Sequence, residues 1–85
     1  MTDRESRAAE EILRLARDEL GYRGPLEAGS APLAGQLDSL VLLSLVVAVE
    51  DRFRIVLADD DAATTRTLQD LARLVAARAG PEALP

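Results

Sequence analysis

Apolar residues recur every three or four positions in three separate stretches of this 85-residue chain, a spacing typical of helices packed on a shared core. Only Tyr22 and Phe53 are aromatic, so that core has to be aliphatic. An aliphatic core fits a compact helical bundle better than a β-sandwich, whose strands usually draw on aromatic and β-branched residues. The length allows one domain over 1–85, and we expect a core at about 3–79 and a frayed tail at 80–85.

The first stretch carries a helix-start signal and is followed by a long irregular segment. Thr2 and Glu5 match a capping box, and Gly21 is placed to end the helix. The predicted core face of this helix consists of Ala9, Ile12, Leu13, Ala16 and Leu20. Residues 21–37 then hold four glycines and two prolines without periodicity, which predicts a long loop pinned to the core by Leu26 and Leu33.

Asp38 is the predicted N-cap of the second long helix, with Leu37 and Leu42 at the hydrophobic staple positions around it. The predicted core face of this helix is Leu42, Leu45, Val46, Val49 and Phe53. Two buried strands at 40–49 and 53–57 are the alternative, because valine is abundant there and periodicity alone does not separate the two. The cap, the staple and the length favour the helix.

The rest of the chain predicts a short helix and a final long one. The acidic run 59–61 suits the first turn of a short helix, where the helix dipole favours anions. Thr67 and Asp70 match a second capping box, and Gly80 with Pro81 ends the last helix. Its apolar stripe is Leu68, Leu71, Ala72, Val75 and Ala79.

The composition excludes several classes of chemistry. The chain has no Cys, His or Lys, so it lacks thiolate nucleophiles, imidazole bases and Schiff-base lysines, and no serine has a base for hydrolase chemistry. The spacing of three acidic residues matches the first, third and twelfth positions of an EF-hand loop: Asp59, Asp61 and Asp70. However, Thr64 stands where that loop needs glycine, and Asp70 replaces its bidentate Glu, so we predict no metal site.

Charge and hydropathy indicate where the protein works. A net charge of −5 argues against nucleic-acid binding, which requires cations to neutralise phosphates. The opening residues have no apolar signal-peptide core, and the apolar run 40–49 is interrupted by Ser44 and too short to span a bilayer. We therefore expect a cytoplasmic protein that does not bind membranes.

Four short motifs, in this order of helices, resemble the acyl carrier protein family. Residues 38–40 match its Asp-Ser-Leu signature at the start of the second helix, and residues 49–53 resemble its acidic run ending in Phe. Residues 58–61 stand where members often have Pro followed by acids, and residues 67–69 match the opening of the last helix. The resemblance covers roughly residues 5–79 and implies an all-α bundle of three main helices and one short helix, with a long loop after the first.

The resemblance implies a carrier that catalyses nothing itself. Ser39 would take a 4′-phosphopantetheine arm from coenzyme A, with Asp38 and Leu40 completing the attachment signature and Asp38 contacting the phosphopantetheinyl transferase. A phosphodiester at this position would face unsatisfied N–H groups of a helix start. The alternatives are that Ser39 is an ordinary helix-start serine and that Asp38 is a plain N-cap.

The second helix departs from the family pattern in its charge. Val41 and Ser44 stand at two positions where acidic docking residues are expected, and the net charge of residues 39–58 is zero. Val41, Leu43 and Val47 fall off the predicted core face, so we expect them to form an exposed patch that binds partners together with Glu50. The alternative is that the long loop folds over part of this patch.

These observations predict a monomeric carrier of acyl or aminoacyl thioesters, passing cargo from a loading enzyme to a downstream synthase or acyltransferase. The lack of net charge on the second helix favours polyketide or nonribosomal assembly over fatty-acid synthesis, which remains the first alternative. Residues 35–38 read Gly-Gln-Leu-Asp, closer to acyl carriers than to peptidyl carriers with Gly-Gly. The second alternative is a helical protein–protein interaction module without the arm.

Overall fold

The fold is built from helices. A computed structural model describes residues 2–22, 24, 26, 32–80 and 82–83, apart from the side chains of residues 62 and 63. The helices within this part are α1 (Asp3–Asp18), α2 (Leu33–Gln36), α3 (Ser39–Phe53), α4 (Asp59–Thr64) and α5 (Leu68–Arg78). The only β pairing among the described residues is an isolated bridge between Pro32 and Thr67. The all-α prediction is confirmed, and the alternative of two strands in place of α3 is wrong.

The hydrophobic core lies between α1, α3 and α5, with α1 packed along α5 and against α3. All five residues predicted for the stripe of α5 are buried. On α3, Leu45, Val49 and Phe53 are buried, whereas Leu42 and Val46 are half-buried. The buried face of α1 is Ala8, Ala9, Ile12, Leu15 and Ala16. It differs from the predicted stripe because two helices, α3 and α5, cover α1. Leu13 and Leu20, which belonged to that stripe, are only half-buried.

Local hydrogen bonds start and end the long helices. The two predicted capping boxes, at the starts of α1 and α5, are both present. Gly21 has a φ of 67°, the left-handed conformation expected where the chain leaves α1. Arg54 ends α3 with a φ of 58°, and the Ile55 N–H donates back to the Glu50 carbonyl at 3.2 Å. This left-handed ending turns the chain sharply towards α4.

The helix α2 falls in the segment where a structureless loop was predicted. Leu33 is buried, as predicted, and Leu26 is half-buried against the core. The Leu33 N–H donates to the Arg66 carbonyl at 2.8 Å, and the Tyr22 hydroxyl donates to the Gln36 carbonyl at 3.0 Å. The remainder of the predicted loop, at 23, 25 and 27–31, lies outside the described residues.

The C-terminal segment contacts the bundle at Ala83. This residue packs against the core, and its carbonyl accepts a hydrogen bond from Arg52 at 3.1 Å. Arg4 similarly closes the end of α5 by donating to the carbonyls of Ala76 and Ala79 at 2.9 and 3.0 Å. Part of the segment expected to form a frayed tail is therefore held on the protein.

Candidate functional site

Ser39 is the first residue of α3, and its side chain is exposed. The preceding Asp38 is the N-cap, as predicted: its Oδ1 accepts the Val41 N–H at 2.9 Å, and its carbonyl accepts the Leu42 N–H at 2.9 Å. Asp38 thus performs the capping that a serine often performs at this place. The Ser39 side chain therefore faces solvent, and its hydroxyl is not needed to cap the start of α3.

The start of α3 fits a phosphodiester on Ser39. The first N–H groups of a helix have no intrahelical carbonyl to bond, and those of Ser39 and Leu40 occupy this position in α3. The helix is 15 residues long, and its dipole favours negative charge at this end. A phosphate ester carried by Ser39 would therefore be stabilised by backbone and dipole without a cationic side chain.

An apolar strip runs along the exposed face of α3 from the residue after Ser39. It consists of Leu40, Leu43 and Val47, whose exposed fractions are 73%, 61% and 49%. Residues three and four apart share a helix face, so these side chains form one continuous surface beside Ser39. Leu43 and Val47 were predicted to be exposed there, whereas Leu40 was assigned only to the attachment signature.

Val41 was predicted to belong to this exposed patch, and that placement is wrong. It is half-buried and packs against the core. The reason is its spacing, because Val41 lies four residues before Leu45, and Leu45 and Val49 are both fully buried. The same four-residue spacing in the sequence was the signal that could have placed Val41 on the core face.

Two of the four charged residues near the end of α3 are engaged within the protein. One oxygen of the Glu50 carboxylate, predicted to contact partners, accepts the Leu57 N–H at 2.8 Å. Arg52 pairs with Glu11 of α1 at 3.2 Å. Asp51 is exposed, as is Arg54. Exposed charge on this part of the helix is therefore small and balanced, and the apolar strip is its dominant surface feature.

A cavity of about 380 Å³ lies between α3, α4 and α5. Its lining is mainly aliphatic: Leu33, Leu42, Leu43, Val46, Val47, Leu57, Ala58, Leu71 and Leu74. Polar side chains of Glu50, Asp59, Asp61 and Thr65 complete it. Leu43 and Val47 belong to both the strip and the lining, so the cavity adjoins the exposed face of α3.

Hydrogen bonds occupy two of the three acidic side chains considered for an EF-hand, those of Asp61 and Asp70. Arg78 binds both oxygens of Asp61, at 2.6 and 2.7 Å, and one of these oxygens accepts the Ala58 N–H at 2.9 Å. The Arg78 guanidinium and the Ala58 N–H lower the pKa of Asp61. Among the described residues, no group of three side chains is arranged to hold a metal ion. Sequence reasoning missed Arg78, because nothing local indicates a partner 17 residues away.

A comparison with known families identifies the family of the chain. Residues 9–75, well over half of the chain, match the family model described as "Phosphopantetheine attachment site". The chain belongs to this family. Its members are carrier domains of the acyl carrier protein type with covalently attached 4′-phosphopantetheine, so the protein is a phosphopantetheine carrier.

Membership also indicates the general partners of the protein. Carrier domains of this family are typically non-catalytic and interact with a phosphopantetheinyl transferase and with the enzymes that use their cargo.

No curated protein sequence and no solved structure matches the chain. In the described part, no helix combines the length and apolar character needed to cross a membrane.

Proposed function

We propose that Ser39 is the attachment site of the phosphopantetheine arm, and that the arm holds acyl or aminoacyl groups as thioesters. The observation that carries this proposal is an exposed Ser39 at a helix start that Asp38 already caps. Ser39 contributes the hydroxyl oxygen, and the first-turn N–H groups of α3 stabilise the phosphate. The bound group supplies the thiol that this Cys-free chain lacks.

Intact mass spectrometry tests the attachment site. Incubated with coenzyme A and a broadly specific phosphopantetheinyl transferase, the protein should gain one phosphopantetheine, whereas Ser39→Ala should gain none. Ser6→Ala is the matched control, because Ser6 is also an exposed helical serine, and it should be modified like the parent. Modification of Ser39→Ala, or a parent left unmodified by several transferases, would contradict the proposal. An unmodified parent would favour an interaction module without the arm.

The surface of α3 favours a carrier in polyketide or nonribosomal assembly over one in general fatty-acid synthesis. Val41 and Ser44 replace expected acidic residues, and Leu40, Leu43 and Val47 present an apolar strip instead. A loading enzyme and a downstream synthase or acyltransferase would dock there, with Glu50 at the margin. We propose that this carrier works as a cytoplasmic monomer in a dedicated pathway.

A further inference from the structure

Residues 56–66, which comprise α4 and the segments on either side, form a wall of the cavity whose described side chains have little apolar anchoring. None of the described side chains in this wall is buried, and Val56 is 79% exposed. Leu57 packs partly against the core. Segments with few buried apolar contacts open at lower free energy than the core of a protein. The described core residues all lie outside the wall, so its opening would leave the core assembled.

Polar contacts from three other helices fasten the wall. Glu50 of α3 accepts the Leu57 N–H at 2.8 Å, and the Leu33 N–H of α2 donates to the Arg66 carbonyl at 2.8 Å. From α5, Asp70 accepts the Arg66 N–H at 3.2 Å, and Arg78 binds both oxygens of Asp61. The wall is thus held near its two ends by hydrogen bonds and near its middle by a bidentate ion pair.

Arg78 reaches both the wall's first turn and the segment before it. Besides binding Asp61, its Nη1 donates to the Val56 carbonyl at 3.3 Å. Asp61 in turn bonds the Ala58 N–H at the start of α4. Bidentate pairing of arginine with a carboxylate is stronger and more directional than a single ion contact. One side chain therefore organises the first half of the wall.

We propose that residues 56–66 open away from the cavity as a unit, and that the Asp61–Arg78 pair is the latch that sets how often they do so. Opening uncovers the apolar interior lined by Leu42, Val46 and Leu71. Access of an apolar group to that interior is then governed by a partly exposed ion pair, which responds to ionic strength. This inference goes beyond the carrier function and does not require the arm.

Amide hydrogen exchange, followed by NMR on the full chain, measures the opening directly. Amides of residues 59–66 should exchange faster than core amides of α1 and α5, and low concentrations of urea should accelerate them little, because local opening exposes little surface. Arg78→Gln should accelerate wall exchange by about two- to five-fold, the effect expected of an exposed ion pair with good geometry. High salt should produce a similar acceleration in the parent.

Arg14→Gln is the matched control. Arg14 pairs with Glu11 and Asp18 on α1, and its side chain is 46% exposed, against 41% for Arg78. The Arg14 pairs break when the whole protein unfolds but survive opening of the wall. Arg14→Gln should therefore leave wall exchange unchanged, whatever it does to the core amides. A double-mutant cycle with Asp61→Asn, which keeps an acceptor for the Ala58 N–H, isolates the pair itself.

Several results would overturn the latch. Wall amides that exchange at the same rate and with the same urea dependence as the core would show that no separate opening exists. Wall exchange unaltered in Arg78→Gln would remove the latch from this pair. An equal effect of Arg78→Gln in the parent and in the Asp61→Asn background would show that Arg78 acts through something other than Asp61.

Discussion

The apolar strip on α3 predicts how partner enzymes recognise this carrier. Full burial of a leucine side chain contributes about 1.5–3 kcal/mol. Leu40 and Leu43 are 73% and 61% exposed. Burying this exposed surface against a partner should therefore contribute about 1–2 kcal/mol for each side chain. Leu40→Glu and Leu43→Glu should therefore each lower kcat/KM for loading by the pathway's own enzyme about 5- to 30-fold. Both should leave the isolated fold nearly intact.

The assay is thioester formation on the phosphopantetheine-bearing protein, followed by intact mass at low and high salt. With Glu50 and Asp51 balanced by Arg52 and Arg54, long-range attraction to α3 is weak, so loading of the parent should depend little on salt. Val56→Glu is the control, because it introduces the same charge at a side chain that is 79% exposed but lies off the strip. It should be loaded like the parent.

A steep fall in parent loading with salt, together with normal loading of both strip variants, would refute apolar docking and return recognition to the acidic residues. Val41→Asp belongs to a different class of variant. Because Val41 packs against the core, a carboxylate there should lower the free energy of unfolding, so a loss of loading in that variant would report on folding rather than docking.

Two further predictions concern stability. Phe53 is 1% exposed, so Phe53→Ala should lower the free energy of unfolding by about 3–5 kcal/mol in urea titrations, and a loss under about 1 kcal/mol would contradict its burial. The N–H groups of Arg66 and Thr67 lower the pKa of Asp70 below its ordinary 3.8. The charged Asp70 carboxylate therefore stabilises the folded protein at pH values above its ordinary pKa. This stabilisation is lost as the pH falls through the lower pKa of the folded state. The stability gap between the parent and Asp70→Asn should narrow in acid, and a gap independent of pH would contradict this role.

The sequence by itself determined the features that depend on neighbours three or four residues apart. The caps at Thr2, Asp38 and Thr67 were predictable because each bonds an N–H three residues on. The buried stripe of α5 was predictable because polar residues stand between its members, at Gln69, Asp70, Arg73 and Arg78. The place of Ser39 at the start of a capped helix follows from the same short-range signals, and so does the family signature around it.

Only the tertiary structure decided which way α3 faces and which distant residues meet. Nearly every residue from Leu40 to Val49 is apolar, so the pattern alone does not mark where the buried face ends. In the structure Val41 packs against the core, whereas Leu40 is exposed. The contacts of Arg78 with Asp61 and of Arg52 with Glu11 join residues 17 and 41 apart. Charge patterns along a chain do not determine such pairs, because the partner depends on how whole helices are placed.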